Sequence, residues 1–95
     1  MGNVLETVKE AKRIRHDKLD HEIVRLASVA QSELARAGVD ETKAANTDDS
    51  LIKQAVVTFC LKELSDGTIR DQYERSWIIQ LDQLRKSEGY RCTTR

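Results

Sequence analysis

Residues 51–64, LIKQAVVTFCLKEL, decide the fold. Nine of these fourteen residues are apolar. At 100° per residue, Ile52, Ala55, Val56, Val57, Phe59, Cys60, Leu61 and Leu64 sweep about two thirds of a helical wheel. Gln54, Thr58 and Lys62, spaced four apart, form the polar strip that is left. Lys53 and Glu63 fall inside the apolar arc, each in an end turn from which a long side chain reaches water. A helix this apolar has to be covered on at least two sides. The flanking sequence is therefore expected to supply the helices that enclose it.

Upstream, Asn3 and Glu6 have the spacing of a capping box, which starts a short helix over about 4–13 with Val4, Leu5, Val8 and Ala11 on one side. Lys9, Lys12, Arg13, Arg15 and Lys18 crowd its far end, where a helix C-terminus favours cations. A second helix is expected over about 18–37, capped by Asp17, with Asp20 and Glu22 in its first turns. Leu19, Ile23, Leu26, Ala27, Ala30, Leu34 and Ala37 keep it amphipathic, and Gly38 ends it in a left-handed cap. Val24 and Val29 lie off either edge of that stripe.

Residues 38–47, GVDETKAANT, have no period and read as a polar loop. Thr47 or Asp48 opens the central helix, about 48–65, and Gly67 caps its end. Thr68 and Asp71 open a last helix over about 69–87, with Tyr73, Trp77, Leu81 and Leu84 on one face and Ile79 away from it. The tail 89–95 is polar and expected to be flexible. The fold expected is all-α: a single four-helix domain over 1–95, with the third helix central. Its core is drawn from Leu26, Ala30, Leu34, Ile52, Val56, Phe59, Cys60, Trp77 and Leu81.

Composition agrees with that class. The 95 residues suffice for one modest core; there is no proline, only four glycines, and 34% of residues are charged. Lysine plus arginine equals aspartate plus glutamate at 16 each, and the signs balance within each half of the chain. A free-standing nucleic-acid binder usually carries a basic excess. The balance argues against DNA as an independent ligand, though not against lining a path that DNA takes. No run approaches a membrane span and no signal-peptide core opens the chain, so the expectation is a soluble, cytosolic protein with no membrane partner. Cys60, on the central helix, and Cys92, in the tail, have unlike settings and are not expected to pair.

Catalytic chemistry is sparse. His16, Asp17, Asp20 and His21 are the one group that invites a metal, by their four-residue spacings. A closed site wants four well-placed ligands, and the carboxylates already have work as helix caps. No glycine-rich phosphate loop, nucleophile elbow or Cys-x-x-Cys is present, and no histidine shares a helix with Cys60. The expectation is a protein with no catalytic residues, metal or cofactor. Surface residues with a possible partner role are Lys12, Arg13, Arg15, Val24, Val29, Ile79, Tyr90 and Arg91. The cluster Lys9–Lys18 also admits a second reading, a helical regulatory module that binds DNA or a protein.

Three stretches, in this order and spacing, carry a likeness over about residues 4–90. They are LETVKEAKRIRHDKLDHEIVRLASVAQSELARAG (5–38), LIKQAVVTFCLKEL (51–64) and DQYERSWIIQLDQLRKSEGY (71–90). The chain resembles the small head–tail connector proteins of tailed bacteriophages, also called adaptor, head-completion or DNA-packaging proteins. Phe59 and Trp77 stand where tyrosine is common in that family. The resemblance implies a structural protein of the virion, present in the host cytoplasm before assembly and monomeric or weakly associated when alone. It implies a ring of about a dozen copies that docks on the portal, extends the DNA channel and seats a tail or stopper protein. DNA would pass through the lumen without sequence-specific contact, and a strongly basic lumen would hold it by counterion release. The loop 38–47 and the tail 89–95 are the segments expected to meet the portal and the lumen or next ring.

Overall fold

Enclosure of the central helix organises the molecule. The computed structural model describes residues 4–87 and 89–90. Five helices follow in order: α1 Val4–Lys12, α2 Asp20–Ala37, α3 Glu41–Ala44, α4 Ser50–Glu63 and α5 Gly67–Lys86. The fold is all-α, as expected, with α4 at its centre. α2 and α5 clasp α4, α1 closes a further side, and α2 and α5 meet each other little. Ile52, Ala55, Val56 and Cys60 are completely buried, as are Val8 of α1 and Ile23, Ala30 and Leu34 of α2. Burial of about 1.5–3 kcal/mol per large aliphatic side chain makes this seam the main source of stability.

Coverage of α4 exceeds the expectation. The strip Gln54, Thr58 and Lys62 does not lie open to water; only Gln54 does, while Thr58 and Lys62 are buried. Each has found a partner. The Thr58 hydroxyl donates to the Gln54 carbonyl at 2.9 Å. Lys62 Nζ pairs with Glu63 at 2.7 Å and Glu74 at 3.3 Å, and lies 4.5 Å from the centroid of the Phe59 ring. Two carboxylates and an aromatic face replace the water that a buried ammonium requires. Phe59 also meets Trp77 of α5 edge to face, with ring centroids 5.0 Å apart. Of the expected core residues, Leu81 is the exception: it is only partly buried, packed on the edge of the cluster.

The helix ends show why the boundaries differ from the sequence pattern. α2 starts at Asp20, not near 18, and Asp17 does not cap it; Leu19 holds the cap position with no side-chain bond. Gly38 ends α2 as expected, at φ 119°, with the Val39 N–H reaching back to the Leu34 carbonyl at 3.0 Å. The polar loop that follows contains a single helical turn, α3, whose N-cap Asp40 accepts from Thr42 N and Lys43 N. Four residues are too few to show a period, yet Val39 and Ala44 from this loop enter the core. Asp49, rather than Thr47 or Asp48, caps α4, accepting from Leu51 N at 2.9 Å and Ile52 N at 3.3 Å. Gly67 does not cap α4: Leu64 does, and Gly67 at φ 62° is the first residue of α5, so Thr68 lies inside the helix. Asn3, Cys92 and the tail beyond Tyr90 lie outside the described residues.

Candidate interaction surfaces

The basic cluster divides into inward and outward residues. Lys9 Nζ meets Asp20 Oδ1 at 2.8 Å, tying α1 to the start of α2, and Lys12 Nζ donates to Ser65 Oγ at 3.0 Å. Both are half-buried and structural. Arg13, Arg15 and Lys18 are exposed. Arg13 has φ 58°, and the Ile14 N–H donates to the Lys9 carbonyl at 2.8 Å while Arg13 N reaches Glu10 at 3.2 Å. This is the cap that glycine usually makes, the same one Gly38 makes at α2, with Ile14 packed on the core as its apolar anchor. An arginine in the left-handed region costs roughly 1–2 kcal/mol. Arg13→Gly is expected to raise stability by up to about 1 kcal/mol in urea unfolding, the greater freedom of glycine in the unfolded chain offsetting part of the gain. A loss of stability would show that the Arg13 side chain is needed by the fold.

The four residues that invited a metal are dispersed in role. Asp20 is taken by Lys9, His16 Nδ1 accepts from the Lys18 N–H at 3.2 Å, and Asp17 and His21 face solvent. Among the described residues, no group of three or more His, Cys, Asp or Glu side chains is placed to hold a metal ion. Cys60 is sealed against α2, its Sγ 3.9 Å from the Ile23 carbonyl oxygen, and burial pushes its thiol up to about 12. A thiol so poorly ionised is a packing group.

Tyr90, expected in the flexible tail, is tied to the fold. Its hydroxyl donates to both oxygens of Asp49, at 2.8 and 3.0 Å, and its carbonyl accepts from Asp40 N at 2.7 Å. Tyr90 is thereby fastened to the N-cap of the central helix and to the cap of α3. Burial opposes ionisation of Asp49, but the Tyr90 hydroxyl, the Ile52 and Leu51 N–H groups and the Lys43 charge outweigh it and hold the carboxyl below its ordinary value of 3.8. Its contribution to stability is present above that value and is lost as pH falls through the lower, folded one. The hydrogen bond to Asp49, then burial, raises the Tyr90 phenol above 10.0, so its contribution is present below that pH and fades as pH climbs through the folded value. Asp49→Ala is expected to cost about 0.5–2 kcal/mol through loss of the cap. Asp49→Asn, which keeps a capping oxygen, is expected to flatten the acid limb of stability against pH. An unchanged acid limb would detach the carboxylate from the linkage.

The apolar candidates separate. Val29 is partly buried and broadens the α2 contact with the core, so it is not a free surface residue. Val24 and Ile79 are exposed, at 53% and 57%. Leu51, Ile69 and Ile78, not singled out in the sequence, are about half exposed as well. Leu51, one of the nine apolar residues of 51–64, lies in the first turn of α4 and lines a groove between α4 and α5. That groove holds about 490 Å³ and is lined by Leu51, Gln54, Ile79, Gln83, Leu84 and Tyr90 among others. The Gln80 side-chain oxygen is enclosed there with no hydrogen-bond partner among the described residues. Arg91 lies outside the described residues. No helix among the described residues is long and apolar enough to cross a membrane. Compared with known proteins, the chain matches no family model, no curated protein and no solved structure.

Proposed function

We propose that this chain is a structural connector of a tailed phage or prophage. It would form a ring under the portal of the DNA-filled head, extend the DNA channel and seat the tail or stopper protein. The observation that carries the proposal is the order and spacing of the three stretches 5–38, 51–64 and 71–90 in one neutral chain. The architecture suits such a part. α4 is enclosed over most of its circumference, and its buried Thr58 and Lys62 side chains are spent on internal bonds. A scaffold of this kind works through its outer faces, so copies associate weakly alone and gain from simultaneous docking on a symmetric portal. The virion, at the head–tail junction, is its place of action, with the host cytoplasm its place of synthesis.

The test is binding of the purified protein to portal-bearing heads filled with DNA. The expected result is co-sedimentation with such heads and none with heads from which the portal is missing. Failure to bind portal-bearing heads overturns the proposal. One observation favours a second reading: Arg13, Arg15 and Lys18 are exposed on one connection, free of ion pairs among the described residues. If a DNA backbone lies on them, affinity falls steeply with salt; no binding at low salt disposes of that reading.

A further inference from the structure

Ion pairing leaves one part of the surface short of anions. Both arginines of α2, Arg70 and Arg85 of α5, and Lys9, Lys62 and Lys86 each meet a carboxylate, and Lys12 donates to Ser65. Among the described residues, Arg13, Arg15 and Lys18 make no ion pair or side-chain hydrogen bond, and neither do Lys43, Lys53 and Arg75. The last three stand singly on α3, α4 and α5. The first three share the connection 13–18 between α1 and α2, and all three are exposed.

That connection is pinned rather than slack. Ile14 packs on the core, with its N–H on the Lys9 carbonyl at 2.8 Å. His16 Nδ1 accepts from the Lys18 N–H at 3.2 Å, and the Asp20 N–H donates to the Asp17 carbonyl at 3.3 Å. A backbone fixed before binding lowers the ordering cost of a contact made there. The cap at Arg13 needs no side chain, because glycine makes it at lower backbone cost, so the guanidinium has no work inside the fold. Nor does the chain bring an acid of its own. Asp20 is taken by Lys9, and Glu88 is the only acidic side chain outside the described residues. Its neighbours lead to Tyr90 at the start of α4, whereas Lys12 meets Ser65 beyond the other end of that helix.

We infer that Arg13, Arg15 and Lys18 dock a segment of a partner protein rich in aspartate and glutamate. Arginine forks match carboxylates and phosphates equally well, so the surroundings decide between them. Glu10 is exposed and lines the same open hollow, of about 720 Å³, as Arg13 and Arg15. Asp17 is exposed beside Lys18. A phosphodiester backbone is negative at every step and meets both carboxylates with like charge. A protein segment sets acids against the three cations and uncharged or basic residues against Glu10 and Asp17, which is how charge pattern selects a partner. The zero net charge of the chain points the same way, since a nucleic-acid binder usually carries a basic excess. This site does not rest on the connector reading.

The test is fluorescence anisotropy at low salt, where exposed charges are least screened. The probes are a labelled peptide of glutamates alternating with serines, its counterpart with glutamine for glutamate, and a thymidine oligonucleotide of the same length. The glutamate peptide is expected to bind, the glutamine peptide not to bind, and the oligonucleotide to bind about tenfold more weakly than the glutamate peptide. Arg13→Gly, which keeps the cap, Arg15→Gln and Lys18→Gln are each expected to weaken peptide binding about two- to fivefold, and all three together about tenfold or more. Arg75→Gln, which removes an unpaired charge on α5, is expected to leave it unchanged, with the helical signal of every variant that of the wild type. No binding of the glutamate peptide, or an equal loss in Arg75→Gln, overturns the inference. An oligonucleotide bound more tightly through the same three residues overturns it in favour of phosphate. Portals take no part in this experiment, so its failure leaves the connector reading standing, and failure to bind portals leaves this site standing.

Discussion

Phe59→Ala is expected to destabilise the protein by about 3–5 kcal/mol. The side chain is 7% exposed and occupies the junction where α4 faces α5. Truncation removes its packing volume, the edge-to-face contact with Trp77 at 5.0 Å and the aromatic surface under Lys62 Nζ at 4.5 Å. Against a total of roughly 5–15 kcal/mol for a domain, a loss of this size lowers the urea midpoint by more than about 1 M and can unfold the chain outright. Trp77, the only tryptophan, reports the transition by fluorescence. Phe59→Leu, which keeps most of the volume, is expected to cost less, and the difference between the two variants measures the ring contacts. A Phe59→Ala protein with an unchanged midpoint would mean that α4 is not the interior helix described.

Lys62→Glu should be almost as damaging, for an electrostatic reason. Lys62 is 6% exposed, held between Glu63 and Glu74. Reversing its charge places a third carboxylate in a site built around a cation, beside two others and against the negative face of a ring. Breaking a buried pair in this way costs about 3–5 kcal/mol. The pH dependence separates this effect from a packing defect. In the wild type, the hydrogen bond from Lys62 holds Glu63 below its ordinary value of 4.5 against the opposing effect of burial, with the Lys62, Arg70 and Arg25 charges adding to it. That contribution is present above 4.5 and lost as pH falls through the folded value. In Lys62→Glu the introduced carboxyl is forced toward its neutral form, its folded value lying above the unfolded one. The variant is therefore least stable at neutral pH and regains stability relative to wild type on acidification. Lys62→Met supplies the control: it fills a similar volume and leaves Glu63 with Arg70 at 3.6 Å, so a change within about 1.5 kcal/mol is expected. Equal losses for the two substitutions, flat with pH, would assign the role of Lys62 to its methylenes.

Much of the fold was legible because apolar periodicity is local information. The run Leu51–Leu64 announces a buried helix, and the stripe from Leu19 to Ala37 announces the helix that covers it. Gly38 also reads correctly, since a left-handed cap is a property of the residue that occupies it. Arg13 makes the same kind of cap without the residue that signals it. The connection there is held by the Ile14 anchor on a core assembled elsewhere, so the residue type left no mark. Likewise Asp17, Thr47, Asp48 and Thr68 are all competent caps, and which carboxylate or hydroxyl acts depends on where the chain is pulled by its packing.

The surfaces were legible only in part. Val24 and Ile79 stand off their core stripes on a wheel, and they are exposed. Val29 satisfies the same criterion and is packed against the core, so the covered face of α2 is wider than the stripe. Tyr90 belongs by composition to a mobile tail, yet its hydroxyl finds Asp49 across the fold. Contacts between residues 41 positions apart have no counterpart in local pattern.

By itself, then, the sequence determined an all-helical domain with one enclosed helix, because burial of apolar side chains follows from their spacing along a helix. Tertiary structure alone decided that Thr58 and Lys62 lie inside, that Asp49 begins the central helix and that Tyr90 locks it. Each depends on which partner another element brings within bonding distance, and a polar side chain's place is set by that partner rather than by its own hydropathy.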